Sequence, residues 1–184
     1  MDFTAEEFFK VQESYDRISF LEPYYKSNPE IRSVIELKSP YEKLKLLSSI
    51  YPFNSSIFTI AVGNTEFNKK RKEDFKGYVP LNGKWNQPIE TSSLGKYDID
   101  SEKVKLYKSF IEDCISSKIG LYIICSPYFL KYNPPDYSIK IGKEIATKYN
   151  ILFFDYSTDS TFINNPKLFN NIAHLNDDGA KIFS

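Results

Sequence analysis

The sequence predicts an α/β fold: a strand–helix–strand unit in the second half and a mainly helical first half. Three observations carry this expectation. Leu121-Tyr122-Ile123-Ile124-Cys125 and Ile151-Leu152-Phe153-Phe154 are short, continuous apolar runs, the pattern of parallel strands covered on both faces. Between them a helical pattern opens at Pro134-Pro135-Asp136, runs to Tyr149 and is closed by Asn150; at this spacing the unit is a right-handed parallel crossover. Upstream, helix-start signals recur at Thr4, Asn28 and Ser39. Two strands are too few for a covered parallel sheet. Either the apolar run at Ile57–Val62 adds a third, or the sheet is incomplete in this chain.

Taken in order, Thr4 and Glu7 form a capping box for a helix over Ala5–Tyr25, with Phe8, Val11, Tyr15 and Ile18 at helical spacing. Asn28-Pro29-Glu30 reads as a cap, a proline at the first helical position and an acid in the first turn, starting a helix to Leu37. Ser39-Pro40 repeats the signal for a helix to about Ile50, which Pro52 ends. Ile57, Phe58, Ile60, Ala61 and Val62 fit a buried helix or a strand, a helix capped by Asn54 being preferred. Asn68–Glu73 is a charge cluster, read as a solvated face. Gly77, Pro80, Gly83, Pro88 and Gly95 punctuate a long loop, within which Trp85 either anchors on the core or lines a pocket. Ile99–Lys118 is a helix with Val104, Leu106, Tyr107, Phe110, Ile111 and Cys114 as its apolar stripe. A last helix follows Asn176, with Asp177 and Asp178 at its positive end.

The 184 residues suffice for one domain with its own core. The expected organisation is a single domain, 1–184: residues 1–76 mainly helical, 77–98 a long loop, 99–184 the α/β part. With 24 basic and 24 acidic residues the formal net charge is zero, which argues against nucleic-acid or anionic-membrane binding. Abundant Phe and Tyr exclude a disordered tail. Cys114 and Cys125 read as two buried structural thiols. The start Met1-Asp2-Phe3-Thr4 has neither the basic nor the apolar part of a signal peptide, and no window has the length of a membrane span. The expectation is cytoplasmic as written, and cell envelope or secreted if a leader has been lost.

The candidate chemistry lies near the end. His174 is the only histidine, and imidazole is the usual proton carrier near neutral pH. Open α/β sheets place their sites beyond the carboxyl ends of the strands, where Ser126-Pro127-Tyr128 and Asp155-Tyr156-Ser157 lie and to which the His174 loop could return. Ser126, Ser157 and Ser160 are candidate nucleophiles, each also readable as a strand-end or turn hydroxyl. No metal or cofactor is expected: Asp155, Asp159, Asp177 and Asp178 fit no cation loop, and no Gly-rich phosphate loop is present.

The ending Asn171-Ile172-Ala173-His174-Leu175-Asn176-Asp177-Asp178-Gly179-Ala180 resembles the final motif of the SGNH, or GDSL-like, hydrolases. That family carries an acid, two residues and a histidine, often followed by Leu-Asn and a Gly-Ala helix start. His174, Asn176, Gly179 and Ala180 match, and the resemblance covers about residues 99–184. It implies that the strand–helix–strand unit is part of a flavodoxin-like sheet. It further implies hydrolysis of acyl or acetyl esters, of small molecules or carbohydrate: a serine attacks, the histidine takes its proton, and the acid orients the imidazole. Two departures stand out. The acid position is Asn171, which cannot stabilise imidazolium by charge and can favour the wrong tautomer; such an Asp-to-Asn change lowers serine-protease turnover about 10⁴-fold. No Gly-Asp-Ser or Gly-Ser-Ser turn occurs in the first half, so the nucleophile is unknown; Gly63-Asn64-Thr65 is an oxyanion candidate in a context unlike that block. The implied reading is a truncated ester hydrolase, and the alternative is a non-catalytic remnant or interaction module.

Overall fold

The computed structural model describes residues 1–11, 15–54, 56–65, 76, 78–88, 90–92, 98–132 and 137–184. The chain forms two compact units, one of Met1–Lys10 with Asp74–Ser184, the other of Val11–Glu73. The class is α/β, with helices and three two-stranded sheets among the described residues.

In the first unit the two apolar runs form strands β2 (Tyr122–Cys125) and β4 (Leu152–Asp155), paired parallel with Tyr122 opposite Leu152. Beside this two-stranded sheet the N-terminus adds an isolated parallel bridge, Asp2 to Ile124. Residues Met1–Phe3 run parallel to β2: Phe3 N–H donates to the Ile124 carbonyl at 2.7 Å and Ile124 N–H to the Met1 carbonyl at 2.9 Å. Two further pairs carry no usable pattern in the sequence. Strand β1 (Glu90–Ser92) is parallel to β3 (Leu130–Tyr132), and β5 (Phe169–Asn171) is antiparallel to β6 (His174–Leu175), with a register shift between Phe169 and Asn171.

Two helices cover one face of the β2/β4 sheet. The first spans Ser101–Ser116 and is capped by Asp100, which accepts from the N–H groups of Glu102 and Lys103; its start is two residues later than expected. Val104, Tyr107, Ile111 and Cys114 pack inward, whereas Leu106 and Phe110 lie exposed. It ends where Lys118 turns left-handed at φ 56° and Ile119 N–H returns to the Cys114 carbonyl, a Schellman stop without its usual glycine. The second helix, Tyr137–Lys148, ends with Asn150 at φ 56°, as the sequence implied; its opening at 134–136 falls outside the described residues. Ile123, Cys125, Phe3, Phe8, Tyr107, Ile111, Ile139 and Ile145 form the main core, with Phe3 meeting Phe8, Tyr107 and Phe153 edge-on. Gly142 brings the second helix onto Phe3 so closely that a Cβ there would stand 2.6 Å from the ring. Both cysteines are buried, and neither is in a disulfide.

The opposite face corrects the expectation of a sheet covered on both sides. Tyr122 is 57% exposed, Leu152 56% and Phe154 39%. No described helix packs there, so these side chains continue the apolar run of the sequence into solvent.

The expected Ala5–Tyr25 helix is not seen over residues 5–11, and its later part, Arg17–Tyr24, is 3₁₀. Thr4 and Glu7 do bond, Oγ1 to Oε2 at 2.7 Å, but they close a single turn. Phe3, Ala5, Phe8 and Phe9 are all buried; Ala5, Phe8 and Phe9 would share one helix face, so it is the backbone pairing that displaces the helix. The backbone leaves the turn to pair with the segment before the Ser101–Ser116 helix: Asp100 N–H donates to Phe8, and Lys10 N–H to Asp98.

The second unit is helical in short pieces. A 3₁₀ segment covers Arg17–Tyr24, and α-helices cover Arg32–Glu36, Glu42–Lys45 and Ile57–Asn64. Asn28 caps as expected, accepting Glu30 N–H at 3.0 Å. The Ser39–Ile50 helix shrinks to one turn, and the helix at Ile57–Asn64 starts after Ser56 rather than Asn54. That helix is exposed rather than buried, Phe58 at 84%. Ile35 and Leu46 are buried beside two glutamates, Glu22 and Glu42, each held by a lysine, Lys38 at 2.5 Å and Lys45 at 2.8 Å. The charge cluster at 68–73 lies outside the described residues.

Candidate active site

The candidate site is a hairpin at the carboxyl end of β2. The Ile172 carbonyl accepts Phe129 N–H at 2.8 Å, four residues past β2, which returns the histidine loop to the sheet edge. The helix Asp177–Phe183 closes the motif, and Phe183 meets Tyr156, the residue after β4, edge-on. A second small core of Phe129, Phe162, Leu168 and Phe169 lies beneath, with Trp85, Leu175 and Phe183 against it. Trp85 therefore anchors its loop; its Nε1 is buried with no hydrogen-bond partner among the described residues.

Asn171 and His174 face each other across the turn. Asn171 Oδ1 accepts the N–H groups of Ala173 and His174, both at 3.0 Å, and lies 2.9 Å from His174 Nδ1. The two backbone donors fix the amide: turned over, its NH₂ would confront both N–H groups. With oxygen facing the ring, Nδ1 must carry the proton and Nε2 keeps its lone pair. Asn171 thus imposes the tautomer a general base needs, against the expectation that an amide favours the wrong one. It supplies no charge to an imidazolium. The ring itself is exposed.

The candidate nucleophiles are not brought to this ring. Ser126 Oγ donates to Asp2 at 2.9 Å, and Ser157 Oγ to Asp155 at 2.6 Å. Ser160 begins a short helix that Asp159 caps through Thr161 N–H at 2.8 Å. Gly63, Asn64 and Thr65 lie in the other unit, where the Asn64 amide and Thr65 hydroxyl bond carbonyls of their own helix. Among the described residues Asn171 is the hydrogen-bond partner of His174.

Two parts of the site were not seen in the sequence. Asn176, 3% exposed, is a clamp as well as a helix cap. Its Oδ1 accepts Gly179 N–H at 3.0 Å, while its Nδ2 donates to the carbonyls of Gly83 at 3.0 Å and Lys167 at 2.7 Å. Asn before Asp-Asp-Gly does signal the cap; nothing in the sequence signals the clamp. The other part is the loop of Tyr78–Pro88. Leu81 accepts Asp177 N–H, Gly83 N–H donates to Asn170, and Trp85 N–H donates to Phe169. Tyr78 donates its hydroxyl to Asp177 at 2.7 Å, and Lys181 Nζ holds the other carboxylate oxygen at 2.6 Å. The Lys181 ammonium, then the Tyr78 hydroxyl, hold the Asp177 carboxyl below its usual range, and Asp177 in turn raises both Tyr78 and Lys181.

Of the four aspartates considered for a cation, Asp155 accepts from Ser157, Asp159 caps a helix and Asp177 holds Tyr78 and Lys181. Among the described residues no three His, Cys, Asp or Glu side chains group as ligands, and no helix is long and apolar enough to cross a membrane. An open groove along the Ser101–Ser116 helix, lined by Val104, Lys105, Lys108 and Glu112, contains none of the site residues.

No family model matches this chain, and neither a curated protein nor a solved structure matches it.

Proposed function

We propose that this chain carries the histidine part of an SGNH-type ester hydrolase acting on acyl or acetyl esters of small molecules or carbohydrate. His174 is the base and Asn171 the group that orients it. The observation that carries the reading is the Asn171–His174 pair: the Asn171 oxygen, held by two backbone N–H groups, stands 2.9 Å from Nδ1, at the carboxyl edge of a parallel sheet; that contact calls for a proton on Nδ1 and leaves Nε2 as the base. In the reaction Nε2 takes the proton of an attacking serine hydroxyl as its oxygen bonds the acyl carbon. The same proton then passes to the leaving alcohol. The flavodoxin-like sheet order belongs to this proposal.

On this reading the nucleophilic serine is unidentified. Ser126 and Ser157 are engaged by aspartates, and the apolar face of Tyr122, Leu152 and Phe154 stands open as a covering partner would leave it. The chain alone is therefore a poor esterase. Any p-nitrophenyl acetate turnover should fall on His174→Ala, and a fluorophosphonate probe should label no serine stoichiometrically. Asn171→Asp should bring no gain without the nucleophile. Turnover indifferent to His174→Ala would remove the reading, and full labelling of one serine would identify the nucleophile and count against a non-catalytic module. DNA upstream of Met1 that encodes, in frame, a strand ending in Gly-Asp-Ser or Gly-Ser-Ser would supply the missing block.

A second reading, a non-catalytic interaction module, is favoured by the neutral amide at position 171 and the same open apolar face. It predicts no turnover at all.

A further inference from the structure

We infer that Leu81–Trp85 is a belt that holds His174 on Asn171, with Gly83 and Asn170 as positioning residues. The hairpin bearing the imidazole is very short and irregular in register. A two-stranded hairpin is marginal in water by itself. The belt ties both of its ends. At the entering strand, Trp85 N–H donates to Phe169 at 2.7 Å and Gly83 N–H to Asn170 Oδ1 at 3.0 Å. At the leaving end, Asp177 N–H donates to Leu81 at 2.9 Å and Asn176 Nδ2 to the Gly83 carbonyl at 3.0 Å. One residue, Gly83, thus bridges asparagines on either side of His174. Asn170 adjoins Asn171 in the chain, so what fixes the first fixes the strand that carries the second.

Position 83 must be glycine for this contact. A Cβ there would stand 2.1 Å from Asn170 Oδ1 and 3.0 Å from its Cγ. The obstructing atom is the end of a flexible side chain, so Gly83→Ala swings Asn170 aside and breaks that strap while leaving the fold in place. The inference concerns the aim of the imidazole. It holds whether or not the chemistry is ester hydrolysis, and its test uses no substrate.

The test reads the tautomer of His174, the sole histidine, from its ring ¹⁵N shifts at a pH where it is neutral, together with exchange of its backbone amide. Gly83→Ala and Asn170→Ala should each reduce the Nδ1–H preference and speed that exchange about fivefold, the equivalent of one net hydrogen bond. Combining them should be no worse than Asn170→Ala alone, because the two act on one contact. Asn170→Asp keeps an acceptor for Gly83 N–H and should retain the wild-type tautomer. Core amides such as that of Ile123 report that the fold persists. An unchanged tautomer and unchanged exchange in Gly83→Ala would overturn the inference, as would loss of the tautomer in Asn170→Asp. Neither result would bear on the ester-hydrolase reading, which the His174→Ala turnover assay decides.

Discussion

Replacing Asn176 by Ala should loosen three segments at once. The side chain is buried, caps the Asp177–Phe183 helix through Gly179 N–H at 3.0 Å, and donates to the carbonyls of Gly83 and Lys167 at 3.0 and 2.7 Å. A third approach, to Phe169 at 3.5 Å, is too long to count. The cap is worth about 1 kcal/mol, and each of the two donated bonds about 1 kcal/mol net. Gly179 is buried, so its N–H is left without a partner rather than returned to water. The sum is about 3 kcal/mol, and at this chain length it lowers the melting temperature by roughly 10 °C. Urea titration followed by near-ultraviolet dichroism measures it. A loss below about 1 kcal/mol would refute the clamp and leave Asn176 as an ordinary surface cap.

Other outcomes follow from the same geometry. Gly142→Ala drives a methyl into the fully buried Phe3 ring, at 2.6 Å from its Cζ. It should cost about 1–3 kcal/mol, largely recovered by adding Phe3→Leu, as denaturation of the single and double variants would show. Lys118→Gly relieves a left-handed residue at φ 56° and should raise stability by about 0.5–1 kcal/mol in the same assay. The Tyr78–Asp177–Lys181 attachment has a defined pH window. Asp177 is held below its usual range, so its contribution is full above the ordinary carboxylate value of about 3.9 and is lost as pH falls through the lowered one. Tyr78 and Lys181 are raised, so theirs persists below their ordinary values of about 10 and fades as pH climbs through the raised ones. Exchange of the Ala180 amide, corrected for its intrinsic pH dependence, should show constant protection from about pH 5 to 9 and a loss below 4; a step in mid-range would contradict this assignment.

The elements that were legible are those whose pattern arises locally. The two apolar strands, the helices after Asp100 and before Asn150, and the cap at Asn176 each announce themselves in consecutive residues. At the N-terminus Phe8, Val11, Tyr15 and Ile18 mimic a helical period, while Phe3 and Phe9 are drawn into the core by partners far along the chain. Strands of two or three residues carry no period at all, which hid the hairpin under His174. The pairing of Asn171 with His174 is what the family resemblance implies; the amide orientation is not, because it depends on where two backbone N–H groups point. The belt was invisible for a similar reason, its bonds being main-chain or asparagine contacts between residues far apart in the chain, Gly83 and Asn176 by 93 residues. The open face of Tyr122, Leu152 and Phe154 is a case where the sequence describes a burial that these residues do not provide.

One proton decides whether a base stands at this sheet edge. Ring ¹⁵N spectroscopy of the neutral His174 side chain should find it on Nδ1, facing the Asn171 oxygen, with Nε2 unprotonated and open. A ring protonated on Nε2, or an even mixture of the two forms, would mean that Asn171 does not hold the imidazole and that no base is poised at this sheet edge.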